Sequence, residues 1–273
     1  MINFTVYKNG KLFTDDLNKQ FIKINKSKIL FVLHGLFGRG KNWQTFARQY
    51  SSDRDQFVIT VDLRNHGGNK FKKEHSYLLM AKDIMQIINH LGISKVDLLG
   101  HSMGGKLAMV IALSYQNVVN KVIVADIAPV KYNEDSQNII DILLSLDLHS
   151  IKNRNHADEM LYDHINEKFL RTFLLQNLEL AEGKYRWSIN LEAIKNSMRD
   201  LRSFPNFDHS SLIDNKILCI YGEKSNYVKE KYFNNFNNYF SNITFQKIED
   251  AGHFLHVEKA SEFYEMSLNF FKN

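Results

Sequence analysis

Short apolar runs alternate with helical patterns along most of this 273-residue chain, and this alternation limits its possible folds more than any other feature. The runs are rich in Val, Ile and Leu and are bounded by Gly or polar residues, which is typical of strands buried on both faces of a sheet. Strands that alternate with helices pair in parallel through right-handed crossovers. The sequence therefore predicts an α/β fold with helices on both faces of a mostly parallel sheet. The predicted strands are 28–33, 56–63, 95–99, 121–125, 216–221 and 243–248, and helical patterns cover 77–91, 103–115 and 258–271.

One long segment, 131–210, breaks the alternation, because it contains several helical patterns and no clear strand. The length of the chain fits one α/β domain that carries an inserted subdomain. We therefore predict a core formed by 1–130 and 211–273, with an all-helical insertion after the strand that ends at Asp126. The clearest helical patterns within the insertion are 139–146 and 159–178.

The composition is that of a globular protein, with 44% hydrophobic and 24% charged residues. No apolar run reaches the roughly 18 residues that a membrane-spanning helix needs. The chain begins with the alternating pattern of a strand and lacks the features of a secretory signal. Cys219 is the one cysteine and cannot form an internal disulfide. These features predict a cytoplasmic protein without a membrane span.

The net charge of +5 raises the question of an anionic partner such as a nucleic acid. The lysines are spread along the whole chain, and the densest cluster, 70–73, is short. No basic stripe or nucleic-acid recognition motif accompanies the charge. We therefore expect a solvated basic surface and no nucleic-acid partner.

The sequence Gly100-His101-Ser102-Met103-Gly104 fits the pattern G-x-S-x-G between a predicted strand and a predicted helix. A strand that turns directly into a helix strains the central residue, and a side chain at Gly100 or Gly104 would collide with the turn. The turn lifts the Ser102 hydroxyl above the sheet at a helix N-terminus, where developing negative charge is favoured. Ser102 is therefore a candidate nucleophile, and a helix N-cap is the alternative.

A serine hydroxyl needs a base to act as a nucleophile. His253 is the best candidate, because it follows the last predicted strand and completes the chain order serine, acid, histidine. His256 lies three residues further on, but no third ligand with suitable spacing accompanies the pair, so we expect no metal site. His66 and His101 are expected to hydrogen-bond locally.

Attack on a carbonyl produces an oxyanion, which needs two hydrogen-bond donors. The amide of Met103, directly after the candidate nucleophile, is one candidate. The other is expected in the glycine-containing loop 34–38 after the first central strand, where we select the Leu36 amide, with Phe37 second. An ordinary strand-to-helix turn is the alternative for this loop.

Five motifs together resemble a known family: H-G-L-F-G at 34–38, D-L-R-N-H-G at 62–67, G-H-S-M-G-G-K at 100–106, D-I-A-P-V at 126–130 and A-G-H-F-L-H-V-E-K at 251–259. They are similar to the α/β-hydrolase superfamily, and more closely to bacterial acyl-CoA esterases of the YbfF type and their mitochondrial relatives. The resemblance extends over nearly the whole chain. It implies an α/β-hydrolase fold, a cap over the site that matches the helical insertion, and hydrolysis of esters and thioesters without a cofactor.

The acid of the site is assigned through this resemblance. Most α/β-hydrolases carry an acid after the next-to-last strand, but the segment 222–226 contains no aspartate. Enzymes of the YbfF type have a serine at the place of Ser225 and are thought to use the aspartate of D-I-A-P, here Asp126. Asp126 would fix the tautomer of His253 and stabilise the imidazolium. Glu223 and a polar contact from Ser225 are the alternatives.

The predicted function is a cofactor-independent serine hydrolase that cleaves carboxylic esters or acyl-CoA thioesters through an acyl-enzyme on Ser102. The alternatives are a C–C bond hydrolase or lyase on the same scaffold, or a non-catalytic ligand-binding protein, because the fold alone does not choose. Arg39 and Lys41 directly follow the loop 34–38 and are candidates for binding the anionic head group of CoA. Solvated loop charges are the alternative for both.

Overall fold

The structure is a computed structural model that describes residues 1–14, 29–133, 136–207 and 212–272. Lys28, where the first predicted strand begins, and the predicted boundary at 210–211 lie outside the described residues.

Eight strands form one sheet, in the order β10-β9-β6-β5-β3-β4-β1-β2. The pairs from β10 to β4 are all parallel, whereas β1 pairs antiparallel with both β4 and β2. The predicted mostly parallel sheet is therefore confirmed. The strands are β1 Phe4–Lys8, β2 Lys11–Leu12, β3 Ile29–Leu33, β4 Phe57–Val61, β5 Val96–His101, β6 Val119–Ala125, β7 Leu178–Ala181, β8 Lys184–Trp187, β9 Lys216–Gly222 and β10 Ile243–Ile248.

Helices follow most of the sheet strands, as the alternation predicts. The predicted helix at 258–271 is divided at Lys259, which separates a short turn of helix from the final one. The helices are α1 Gln44–Asp53, α2 Tyr77–His90, α3 Met103–Ser114, α4 Ser136–Ser145, α5 Arg154–Tyr162, α6 Lys168–Leu175, α7 Leu191–Arg202, α8 Phe233–Asn237, α9 Leu255–Glu258 and α10 Ala260–Lys272, with 3₁₀ turns at Gly40–Trp43 and Glu230–Tyr232.

The sheet separates two hydrophobic cores. Successive side chains of β3 point to opposite faces: Phe31 packs in one core with Leu107 of α3, and Leu30 packs in the other with Ala47 of α1 and Phe263 of α10. Burying one such side chain stabilises the fold by about 1.5–3 kcal/mol. Helices therefore cover both faces, and the central strands are held in fixed register beneath the loops at their carboxyl ends.

Strand β10 is not buried on both faces of the sheet, although this was predicted for the strands. It lies at the edge of the sheet with β9 as its one neighbour, and most of its residues are partly or fully exposed. An edge strand packs fewer elements against its faces, so its apolar residues are not all covered.

The insertion is not all-helical, which corrects one part of the prediction. Strands β7 and β8 form an antiparallel hairpin, joined by Glu182 and Gly183 with φ values of 51° and 76°. Positive φ at both central residues matches the twist of a two-residue hairpin. The glycine in the sequence E-G between two short β-prone segments was the available signal.

The predicted helix at 159–178 is also wrong in its length, because α5 ends at Tyr162 and α6 starts at Lys168. Arg171 explains the break. Its guanidinium donates to the carbonyls of Ile165 and Asn166 at 2.9 and 3.0 Å and pairs with Asp158 at 2.8 Å. These bonds stabilise a non-helical connection that hydrophobic periodicity does not reveal.

Candidate active site

Ser102 occupies a sharp turn between β5 and α3. Its φ of 53° and ψ of −120° lie in a region that non-glycine residues rarely adopt. A Cβ atom at Gly100 would collide with the carbonyl of Gly104, and one at Gly104 would collide with the carbonyl of Leu33. The Ser102 side chain makes no capping hydrogen bond to α3. Ser102 therefore occupies the N-cap position of α3 without capping it through its side chain, and its hydroxyl is left to contact His253.

Three polar side chains from different parts of the chain form a hydrogen-bonded series. His253 Nε2 lies 3.0 Å from Ser102 Oγ, and His253 Nδ1 lies 2.7 Å from Asp126 Oδ2. The carboxylate only accepts, so the Nδ1 proton points to Asp126 and Nε2 is left to accept from the serine hydroxyl. The structure thus brings together the three residues that the sequence selected as nucleophile, base and acid.

Asp126 directly follows β6 and is fully buried. Its φ of 52° turns the backbone, and its N–H donates to the carbonyl of Ile220 at 2.8 Å. Besides His253, the carboxylate accepts from the Gly222 N–H at 3.1 Å and from the Ser225 hydroxyl. Three donors compensate the buried negative charge.

Ser225 and Glu223 take different positions near this acid. Ser225 is buried and contacts the carboxylate of Asp126 rather than His253. Glu223 is exposed, accepts from the Asp250 N–H at 3.0 Å and lies 3.4 Å from Lys247 Nζ. Glu223 is therefore not brought to the histidine.

Two aromatic residues hold His253 in place. The Tyr227 ring stacks on its imidazole with centroids 3.9 Å apart and an interplanar angle of 26°. His101 Nε2 donates to the His253 carbonyl at 2.8 Å, so the expectation of a local hydrogen bond for His101 is wrong. His66 does bond locally, to the Arg64 carbonyl at 2.8 Å. Sequence reasoning missed Tyr227, whose one signal was its position two residues after Ser225.

Leu36 and Met103 both line the cavity over Ser102. Within the described part of the chain, neither amide donates to a protein acceptor. The second candidate, the Phe37 amide, donates to His66 Nε2 at 3.3 Å. Its hydrogen bond to the histidine makes it less available than the Leu36 amide.

A cavity of about 300 Å³ lies over Ser102, between the core and the insertion between β6 and β9, which we call the cap. The surface around the polar triad is mainly apolar, which suits an acyl chain better than a charged ligand. Phe173 of α6 lines this cavity, whereas its neighbour Leu174 is buried in the core. The apolar wall includes Tyr77, Ile127, Tyr132, Phe173, Met198 and Leu201.

Arg39 and Lys41 do not line the cavity. Arg39 Nη2 donates to the Gln176 carbonyl at 2.7 Å and to the Ser188 hydroxyl at 3.0 Å. The guanidinium therefore ties the loop after β3 to the cap, and Lys41 is exposed to solvent. This placement does not support Arg39 as a head-group contact.

Within the ranges that the structure describes, no three His, Cys, Asp or Glu side chains are grouped to hold a metal ion. None of the described helices combines the length and the apolar character that a bilayer crossing requires.

Cys219 is buried in β9, and burial raises the pKa of its thiol well above the ordinary value.

Five histidines near the site make the fold sensitive to acid: His34, His66, His75 and His101 are buried, His256 is half-buried, and burial lowers the pKa of His101 well below its ordinary value. Burial lowers the pKa of His34 to about 4 and that of His66, His75 and His256 to about 3. Each binds a proton more readily in the unfolded chain, where the pKa is about 6.5. Their contribution to stability is therefore complete above pH 6.5 and is lost as the pH falls toward 4.

We expect the free energy of unfolding in urea to fall by roughly 1.4 kcal/mol per histidine of this group between pH 7.5 and pH 5.5, or about 7 kcal/mol for all five. His75 Nε2 is buried without a hydrogen-bond partner in the described structure. His75→Phe should therefore reduce the pH-dependent loss by about a fifth. The exposed His149 supplies the matched control, His149→Phe. An equal pH dependence in both variants would contradict the assignment to buried histidines.

The sheet order, the strained serine and the acid–histidine series define a hydrolase of the α/β class, and comparison with known families agrees. A family model described as the α/β-hydrolase fold matches residues 28–260. The chain therefore belongs to the α/β-hydrolase family.

Similar proteins include esterases and a lipase. The sn-1-specific diacylglycerol lipase ABHD11 of Danio rerio is 33% identical over 247 residues, which cover 88% of this chain and 77% of that protein. Esterase YbfF of Escherichia coli (strain K12) is 30% identical over 239 residues, which cover 86% of this chain and 89% of that protein. The solved structure of a marine microorganism esterase has a TM-score of 0.88 at 32% identity and covers 98% of both chains.

Proposed function

We propose that this protein hydrolyses carboxylic esters through an acyl-enzyme on Ser102. The observation that carries the proposal is the series Ser102 Oγ, His253 and Asp126 at the base of a mainly apolar cavity. The esterases and the lipase among the similar proteins support the same reaction class. We assign the segment 131–210 as the cap over this cavity.

In the acylation step, His253 Nε2 takes the proton of Ser102 Oγ while that oxygen attacks the ester carbonyl. The N–H groups of Leu36 and Met103 donate to the resulting oxyanion. The imidazolium is stabilised by Asp126 and gives its proton to the leaving alcohol as the C–O bond breaks. The acyl group is left on the serine oxygen.

In the deacylation step, His253 Nε2 takes a proton from water while the water oxygen attacks the acyl carbon. The same two amides hold the second oxyanion. Collapse of this intermediate breaks the bond to Ser102 Oγ, which receives the proton from the imidazolium. The carboxylic acid leaves, and the hydroxyl is restored without any cofactor.

Acyl-CoA thioesters are the second proposed substrate class, because the same steps release a thiol in place of an alcohol. Lys41 is the candidate for contact with the CoA phosphates, since it is exposed on the segment after the loop 34–38. Arg39 is less suited to this role because its guanidinium is bound to the cap.

The test compares p-nitrophenyl butyrate with butyryl-CoA, which share the acyl group and differ in the leaving group. We expect turnover of the ester with a kcat of about 1–10³ s⁻¹, the ordinary range for enzymes. Nitrophenol absorbance follows the ester, and a thiol reagent follows the thioester. Enzyme treated with a fluorophosphonate is the control. Turnover of neither substrate would contradict the proposed function, and turnover of the ester alone would remove thioesters from it.

A further inference from the structure

Lys106 is a buried cation that the proposed chemistry does not use. It lies on α3 one turn after the nucleophile, and its backbone N–H donates to the Ser102 carbonyl at 3.1 Å. The residue is only 1% exposed. Its Nζ donates to three backbone carbonyls, those of Val130, Arg202 and Ser203, each at 2.8 Å.

These three carbonyls belong to the two connections between the core and the cap. Val130 lies on the segment that leads from β6 into the cap, whereas Arg202 and Ser203 end α7, from which the chain returns toward β9. The Tyr132 N–H also donates to the Arg202 carbonyl at 3.0 Å, which joins the two connections directly. One ammonium on the nucleophile's own helix thus holds both ends of the cap.

The environment of Lys106 is specific for an ammonium group. Its three N–H donors meet three acceptors, and the Tyr132 ring centroid lies 4.8 Å from Nζ. Among the described residues no carboxylate forms an ion pair with it, and burial lowers its pKa to about 7. A methionine would fill similar space without the cost of burying a charge. Packing alone therefore does not account for a lysine here.

The connections that Lys106 holds also carry part of the cavity wall. Ile127 and Tyr132 line the cavity from the first connection, and Met198 and Leu201 line it from α7. A shift of either connection would change the width of the apolar space above Ser102, whereas Asp126 and His253 are held by bonds within the core.

We propose that Lys106 is a positioning residue that fixes the cap relative to Ser102 and thereby determines which acyl chains the site accepts. This inference rests on the proposed ester hydrolysis. A long acyl chain contacts the cap wall, whereas an acetyl group reaches little beyond the serine. Loss of the three hydrogen bonds should therefore weaken binding of long-chain esters more than that of acetate esters.

The experiment measures kcat and KM of Lys106→Met on p-nitrophenyl acetate and p-nitrophenyl octanoate. We expect KM for octanoate to rise about fivefold or more and KM for acetate to rise less than about twofold, with kcat changed by one common factor. A simple loss of folded enzyme would lower kcat for both esters and leave each KM unchanged. The measurement therefore separates positioning from a general loss of stability.

Lys121→Met is the matched control, because Lys121 is also a buried lysine, 5% exposed, whose Nζ donates to the Phe270 carbonyl at 3.0 Å. It lies near the amino end of β6, five residues before Asp126, whereas the site lies at the carboxyl ends of the strands. We expect it to leave the ratio of the two KM values as in the wild type. An equal change of that ratio in both variants would overturn the proposal.

Lys106→Gln is tested in parallel, because its amide keeps two N–H donors and disturbs the buried site less. Amide hydrogen exchange at 130–133 and 202–207 should be faster than in the wild type for each Lys106 variant that folds. Wild-type exchange rates and an unchanged KM ratio in Lys106→Gln would overturn the inference. If the wild type hydrolyses neither ester, the proposed function fails, whereas the exchange measurement still tests the role of Lys106 in holding the cap.

Discussion

Ser102→Ala is expected to lower kcat on p-nitrophenyl butyrate by about 10⁶-fold, because it removes the oxygen that forms the acyl-enzyme. The fold should be retained, since the hydroxyl makes one hydrogen bond, to His253, and makes no cap to α3. Steady-state rates with the ester measure the loss, and thermal unfolding measures the stability. A fluorophosphonate should add one label per wild-type chain, on Ser102, and none to the variant.

The control for this change is Ser114→Ala, at the exposed C-terminal end of the same helix, which should keep wild-type activity and labelling. An active Ser102→Ala enzyme, or a label at another residue, would exclude the acyl-enzyme mechanism. Loss of turnover together with loss of the folded state would instead point to a structural role of the hydroxyl.

The nucleophile and the base were accessible from the sequence because their signals are local. A side chain at Gly100 would collide with Gly104 in the same turn, and one at Gly104 would collide with Leu33 at the end of β3, but both glycines belong to the five consecutive residues that identify Ser102. His253 follows the last strand of a sheet whose strands are short apolar runs. In both cases the neighbouring residues determine the backbone geometry that the chemistry needs.

The acid depends on contacts between distant segments. Residue types alone left Asp126, Glu223 and Ser225 open, and the family resemblance was needed to select one. Asp126 and His253 are 127 positions apart, and their approach depends on the sheet order β10-β9-β6, which places the loop after β10 near the end of β6. Sequence periodicity predicts most strands of the sheet but not which strands are neighbours.

The cap was the least predictable part, because its features depend on tertiary contacts. Arg171 ends a helix by binding carbonyls of the following loop, and Lys106 holds carbonyls from both connections. A charged side chain in a sequence is ordinarily assigned to the surface. Arg39 shows the same effect. It was a candidate for binding the head group of the substrate, but its guanidinium binds the cap.

The environment of Asp126 explains why the identity of its side-chain atoms should matter more than its size. Both carboxylate oxygens act as acceptors, from His253 and Ser225 on one oxygen and from the Gly222 amide on the other. An asparagine of nearly the same shape would replace one acceptor by an NH₂ donor. Facing that donor, the His253 ring is favoured in the tautomer that carries its proton on Nε2.

Asp126→Asn is expected to lower kcat by about 10⁴-fold, because an Nε2 that already carries a proton cannot accept the one from Ser102. Ser225→Ala removes one of three hydrogen bonds to the carboxylate and should lower kcat by about tenfold or less. Glu223→Gln, on an exposed side chain that does not contact His253, should leave kcat as in the wild type. Rates on p-nitrophenyl butyrate, with thermal unfolding measured for each variant, give the comparison. A larger loss in Ser225→Ala or Glu223→Gln than in Asp126→Asn would show that the acid is assigned to the wrong residue.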